Sequence, residues 1–183
     1  SSEQNPLVFD NVSFSWQGNK KPVIKNCSFS ISEPGFFMLV GRNGCGKSTL
    51  IKLIKGIINP CKGYISSPGH IAMVFQNPDH QILMPTCGSE LILNIKGQMS
   101  KKEIYDKVQY HLFAVGLEGF FKRPIHTLSG GQKQRLTIAS AIISESDFIL
   151  MDEPTALLDQ YSQYQILKIV KSITNNNPIT VLW

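Results

Sequence analysis

Phe36-Phe37-Met38-Leu39-Val40-Gly41-Arg42-Asn43-Gly44-Cys45-Gly46-Lys47-Ser48-Thr49 is an apolar run that breaks into a glycine-rich turn and then into a helix-forming stretch. An unbroken apolar run bounded by the Pro34-Gly35 turn reads as a buried strand, Phe36 to Val40. Glycines at 41, 44 and 46 let successive backbone N–H groups converge on a polyphosphate. Lys47 to Ile57 places Leu50, Ile51, Leu53, Ile54 and Ile57 on one side of a helix, whose positive dipole end meets the turn. Lys47 would then reach β- and γ-phosphates, and Ser48 would offer its hydroxyl to Mg²⁺. An ordinary glycine turn before a helix reads the same way in isolation, so the rest of the chain has to decide.

Downstream, Phe148-Ile149-Leu150-Met151-Asp152-Glu153 is another apolar strand, and it ends in two adjacent carboxylates. In a parallel sheet, ligands gather at the carboxyl ends of strands. An acid pair at that point calls for a cation nearby. Between the two strands lies Leu128-Ser129-Gly130-Gly131-Gln132, a serine cap followed by glycines at the start of a helix.

These three motifs in this order resemble the nucleotide-binding domain of ABC ATPases, along nearly the whole chain. The resemblance implies an α/β fold: a P-loop NTPase core of the ABC type with a mostly parallel sheet, an antiparallel β layer and an inserted helical subdomain. It implies ATP and Mg²⁺ as cofactors and a Mg²⁺-dependent ATPase reaction. By resemblance, Glu153 is the general base, Asp152 holds Mg²⁺ through water, and Gln76 senses metal and water. The phosphate loop residues Gly41, Asn43, Gly44, Cys45, Gly46, Lys47, Ser48 and Thr49 cradle the nucleotide. Trp16 is the candidate for stacking on adenine, worth about 1–3 kcal/mol by analogy with base stacking, and Phe14 competes for that role. Ser129, Gly130, Gly131 and Gln132 close over ATP bound to a second subunit, so the chain would pair with itself or with a relative. The histidine that contacts the γ-phosphate in this family would fall just past Trp183. Residues 1–183 are therefore expected to be C-terminally truncated, binding ATP but turning it over poorly.

The segment Gln76-Asn77-Pro78-Asp79-His80-Gln81 narrows the branch, because it resembles the energy-coupling-factor ATPases that serve cobalt, nickel and vitamin uptake. In that branch two ATPases dock on a membrane coupling subunit. Such a protein would sit peripherally on the cytoplasmic face of the inner or plasma membrane, or in the plastid stroma. A soluble ABC ATPase acting on nucleic acid or the ribosome is the alternative; no long coiled-coil insertion fits between Thr49 and Leu128.

Around these motifs, alternation marks strands at 12–16 and 23–31, and a further strand spans 70–75. Helices are expected at 86–95, at 100–115 with a capping box of Ser100 and Glu103, at 131–143 and at 160–173. Strands follow at 147–151 and 179–183. The expected organisation is one domain, with 1–76 as β layer and phosphate-loop core, 77–127 as helical insertion, and 128–183 as signature helix and second half of the core.

Bulk properties agree. A chain of 183 residues with 42% hydrophobic and 17% charged content is globular rather than disordered. Its apolar runs are too short to span a bilayer, so another chain would supply the membrane part. A net charge of +5 without a dense Lys/Arg block gives no support to specific nucleic-acid binding. Four scattered cysteines lack metal-ligand spacing and suit free thiols.

Overall fold

Apolar spacing in the first strand contains an irregularity that shapes the β layer. The computed structural model, which describes residues 6–18, 21–42 and 44–183, begins with β1 at Leu7–Phe14. Leu7, Phe9, Val12 and Phe14 are buried, so a strict pleat would turn the second pair outward. A bulge restores them to the core side, with Asn11 at φ 49° and its N–H donating to Ser28 Oγ at 2.9 Å. β2 (Ile24–Ile31) runs antiparallel beside β1, β3 (Gly35–Phe37) leaves for a second sheet, and β4 (Lys62–Ser66) returns to the other edge of β1. β4 lies outside the strands expected from sequence, because Lys62-Gly63-Tyr64 has no apolar alternation and Tyr64 faces solvent. It pairs because position 63 is glycine: φ is 84°, and a Cβ there would lie 2.4 Å from the Asp10 carbonyl oxygen.

The second sheet is parallel. β5 (Ile71–Val74), β6 (Phe148–Met151) and β7 (Thr180–Leu182) join β3 in the order β3-β7-β6-β5. β6 pairs with β5 on one side and β7 on the other, in register from Phe148 opposite both Ile71 and Thr180. It is buried on both faces, as its continuous apolar run requires. Phe148 and Leu150 enter a core shared with β1 and α1 (Lys47–Ile54). Ile149 and Met151 enter a second core, formed with α2 (Cys87–Leu93), α3 (Lys101–Ala114), α4 (Gly130–Ile143) and α5 (Gln160–Asn176). α3 opens with the capping box of Ser100 and Glu103 that its sequence predicts.

Two elements around the phosphate loop are shorter than the sequence suggests. α1 stops at Ile54 because Gly56, at φ 67°, ends it with an N–H bond to the Leu53 carbonyl. Leu50, Ile51, Leu53 and Ile54 are buried, each worth about 1.5–3 kcal/mol. Ile57 falls past the break and is 63% exposed. β3 covers only Gly35–Phe37, although Leu39 N–H still reaches the Trp183 carbonyl at 2.7 Å. Met38 and Val40 lie past the end of β3, the sheet's edge strand, and are exposed.

Candidate functional site

α1, β6 and the turn before α1 bring one group of predicted residues together. Gly44 and Gly46 take φ of 79° and 105°, which L side chains rarely adopt. A Cβ on Gly46 would also lie 2.9 Å from Ile24 Cδ1, so the loop rests directly on β2. Gly41 has no such backbone demand; a Cβ there would meet Cys45 Sγ at 2.5 Å. Lys47 Nζ donates to the carbonyls of Gly41 at 2.9 Å and Arg42 at 3.3 Å, and lies 3.7 Å from Glu153 Oε1. The base candidate and the lysine expected to reach the phosphates thus face each other across the loop. Asn43 lies outside the described residues.

A cleft of about 270 Å³ is lined by Trp16, Val23, Gly44, Gly46, Lys47, Ser48, Thr49 and Glu153. Lys47, Glu153, Asp152 and Gly41 also border an adjoining recess of about 210 Å³. Trp16 follows β1 and is 38% exposed at the cleft, edge-on to Phe14 at 5.0 Å, with Lys52 Nζ 5.4 Å from its ring. Phe14 is buried beneath it. The competition between these two rings is thus one of position: of the two, only Trp16 lines the cleft.

Asp152 and Glu153 follow the last residue of β6. The Asp152 N–H continues the ladder to the Val74 carbonyl at 3.0 Å. Burial first, then the neighbouring Glu153, push the Asp152 carboxyl above its ordinary value, while Lys52 and Lys47 pull it down. Glu153 itself has φ 46°, a left-handed conformation that costs a non-glycine residue about 1–3 kcal/mol. Among the described residues no group of three or more acidic, histidine or cysteine side chains could hold a metal alone. A hydroxyl and a half-buried carboxylate are nonetheless the hard oxygen donors that Mg²⁺ takes when phosphates and water complete its shell. Ser48 and Asp152 therefore fit that ion.

Gln76 and the signature residues stand apart from this group. Gln76 is exposed just beyond β5, the strand next to β6, and lines neither recess. Ser129 caps α4 by accepting the Gln132 N–H at 3.3 Å, while Gln132 Oε1 accepts the Ser129 N–H at 3.0 Å. A Cβ on Gly131 would lie 2.6 Å from Ser162 Oγ, so this glycine is set by the approach of α5. None of Ser129 to Gln132 lines either recess.

Two residues act at the end of β5 in a way the sequence reading did not foresee. Gln81 donates to the Met73 carbonyl at 2.9 Å, and fully buried Gln134 donates to the Phe75 carbonyl at 2.9 Å. Only a polar residue inside the apolar pattern of α4 hinted at the second.

A family profile described as ABC transporter matches residues 24–156, which contain the phosphate loop, the signature and both acids. The chain belongs to the ABC transporter family. It is 40% identical over 171 residues to ABC transporter I family member 10 of Arabidopsis thaliana, covering 91% of this chain and 63% of that protein. It is 34% identical over 190 residues to the energy-coupling factor transporter ATP-binding protein EcfA1 of Oceanobacillus iheyensis, covering 96% of this chain and 68% of the relative. The chain thus spans about two thirds of the length of these relatives. Its fold is similar to that of cbiO1 from Clostridium perfringens, part of the ABC transporter complex cbiONQ, with TM-score 0.88, 27% identity, and 98% of this chain and 78% of that one covered. A dimeric ATP-binding cassette, MJ0796, bound to ADP and Pi, aligns at TM-score 0.79 and 26% identity over 96% of this chain and 86% of that one. The resemblance to the ABC family is thus found in sequence and fold alike, and that to the energy-coupling-factor branch in sequence.

Proposed function

We propose that this ABC chain binds and hydrolyses ATP as the energising subunit of a membrane transporter of the energy-coupling-factor type, serving uptake of a metal ion or vitamin. The observation that carries the reading is the meeting of Lys47, Ser48, Asp152 and Glu153 around one glycine turn at the carboxyl end of β6. Lys47 would leave the Gly41 and Arg42 carbonyls for the β- and γ-phosphates, a move of a flexible side chain. Trp16 would stack on the base. Glu153 would accept a proton from the attacking water, helped by a position where the carboxylate already faces the cleft. Ser48 and Asp152, with Gln76 just beyond the neighbouring strand, would hold Mg²⁺, which when bound neutralises charge on the phosphates.

Residues 77–127 form the helical insertion in this reading, between 1–76 and 128–183. The signature at Ser129 to Gln132 would serve the nucleotide of a second ABC ATPase, identical or related, since it lies away from this chain's own recesses. The relative pair in the MJ0796 structure supports that arrangement. The insertion and Gln76 to Gln81 would form the face that docks on a membrane coupling subunit. No described helix is long and apolar enough to cross a membrane, so attachment would be peripheral through that partner. The transporter relatives favour this over a role on nucleic acid.

Purification of the tagged full-length chain from solubilised membranes tests the reading. An integral membrane protein should copurify, and Asp79→Lys, at the exposed Asp79–Lys133 pair, should weaken its recovery more than it weakens ATP binding. Recovery of the chain without any membrane protein would overturn the transporter role.

A further inference from the structure

β5 ends at Val74, and the peptides beyond it need partners away from the ladder. Two glutamines supply them. Gln81 folds back along the strand end, its Nε2 donating to the Met73 carbonyl at 2.9 Å and its Oε1 accepting from the Phe75 N–H at 3.3 Å. Gln134, in the second turn of α4, donates through Nε2 to the Phe75 carbonyl at 2.9 Å, across 59 positions of sequence. That carbonyl belongs to the peptide group whose nitrogen is that of Gln76. One residue earlier on the same helix, Lys133 Nζ pairs with Asp79 Oδ1 at 2.7 Å. Gln76 therefore sits between two anchor points, Phe75 and Asp79, both held by consecutive residues of the helix that Ser129 caps.

Gln134 is a poor choice for stability alone. It is 0% exposed beside Leu136 and Ile138 on the same buried helix, and its Oε1 has no hydrogen-bond partner. A half-satisfied buried amide is a liability where an apolar side chain of similar shape would pack. The residue earns its place only through the one bond it does make.

We propose that Gln134 is a positioning residue that fixes the Gln76 peptide to the signature helix, so that Gln76 and the Ser129 end of α4 move as one piece. The buried bond sets where Gln76 points. The exposed Lys133–Asp79 pair ties the same helix to the far end of the segment, on the face assigned above to the membrane partner. Movement imposed at that face would then reach Gln76 and the signature together. The inference rests on the role assigned to Gln76 in the proposed function.

A double-mutant cycle in the full-length protein tests it, with Gln134→Leu, Gln76→Ala and the pair measured for turnover, ATP affinity and amide exchange across residues 75–81. Gln134→Leu should lower turnover about tenfold, within what misplacement of a reacting group costs. ATP affinity should stay within about twofold, the margin for independent sites. Exchange should quicken at 75–79 and stay unchanged within α4. In the Gln76→Ala background, Gln134→Leu should cost nothing further. Equal losses in both backgrounds, or exchange rising through α4 as much as at 75–79, would overturn the proposal. Undiminished turnover in Gln76→Ala alone would remove the role of Gln76 and this inference with it, whereas additive losses beside a damaging Gln76→Ala would remove only Gln134. Should Gln134→Leu not fold, Gln134→Met carries the same test; failure of both to fold would make Gln134 a stability residue and overturn the positioning role.

Discussion

The chain has two glycine motifs, and they use glycine for different reasons. In the phosphate loop, Gly44 and Gly46 are required by their own backbone, at φ 79° and 105°. In the signature, Gly130 and Gly131 begin an ordinary helix, and Gly131 is required by a neighbour, Ser162 of α5, which leaves no room for a Cβ. The first motif makes a concave site within one chain, bordered by Lys47, Ser48 and Glu153. The second makes a helix start with its cap already satisfied internally, lining neither recess. One region is a concave site; the other, in the proposed function, is a surface that would become part of a site only against another chain. Substitutions in the two regions should therefore fail in different ways.

The largest effect belongs to the acid that faces the phosphate loop. Glu153→Gln should cut ATP turnover by about 10²–10⁴-fold, the usual contribution of a positioned base, and leave ATP affinity nearly unchanged. Steady-state hydrolysis and equilibrium nucleotide binding measured on the same full-length preparation check this. Turnover within a few-fold of wild type would place the base elsewhere.

Next in size is the contrast between the glycines. Gly46→Ala should weaken ATP binding by roughly tenfold or more, since a left-handed residue costs an L side chain about 1–2 kcal/mol even before the contact with Ile24. Gly131→Ala should leave binding to the chain's own loop intact and impair turnover, by pushing α5 away from the signature. Fluorescent-nucleotide titration separates the two outcomes, and equal loss of affinity in both variants would erase the distinction between site and surface.

A smaller effect concerns the thiols. Cys45 and Cys61 are exposed, whereas burial pushes the Cys27 and Cys87 thiols up and slows their reaction. Maleimide should label Cys45 and Cys61 first, and MgATP should protect Cys45 alone, because only it lies in the phosphate loop. Peptide mapping reads the protection directly; labelling of Cys45 that ignores MgATP would mean the nucleotide does not cover the loop.

The smallest effect tests the helical side of the molecule. Burial holds the His111 imidazole below its ordinary value, against the opposing pull of its bond to the Lys107 carbonyl at 2.8 Å. A histidine depressed in the folded state binds its proton more readily when unfolded. Its contribution to stability is complete above the unfolded value of about 6.5 and is lost as pH falls below it. The urea midpoint should therefore drop between about pH 7.5 and about pH 5.5, and drop less in His111→Gln.

Legibility from sequence divides along the same line. The phosphate loop, the β6 run with its acids, and the caps at Ser100 and Ser129 were readable because each is set by neighbours in sequence: backbone demands, a continuous apolar strand, a serine three residues before its partner. β4 was not, since its pairing depends on Gly63 fitting against the bulge of β1, a fact of tertiary approach. Ile57 reads as buried by its spacing and is exposed because Gly56 ends the helix first. The bonds of Gln81 and Gln134 escaped for a related reason: what they bind is the backbone of a strand end, which carries no side-chain signature.

Native mass spectrometry of the full-length Glu153→Gln protein in its purified assembly, with and without MgATP, puts the central claim to its most direct test. The account predicts that MgATP traps two ABC ATPase chains, two copies or this chain with a relative, each holding nucleotide. Adding Gly131→Ala should dissolve the pair while nucleotide stays on this chain. A single chain that retains MgATP without pairing, and that hydrolyses it equally well with alanine at 131 in an otherwise wild-type background, would contradict it.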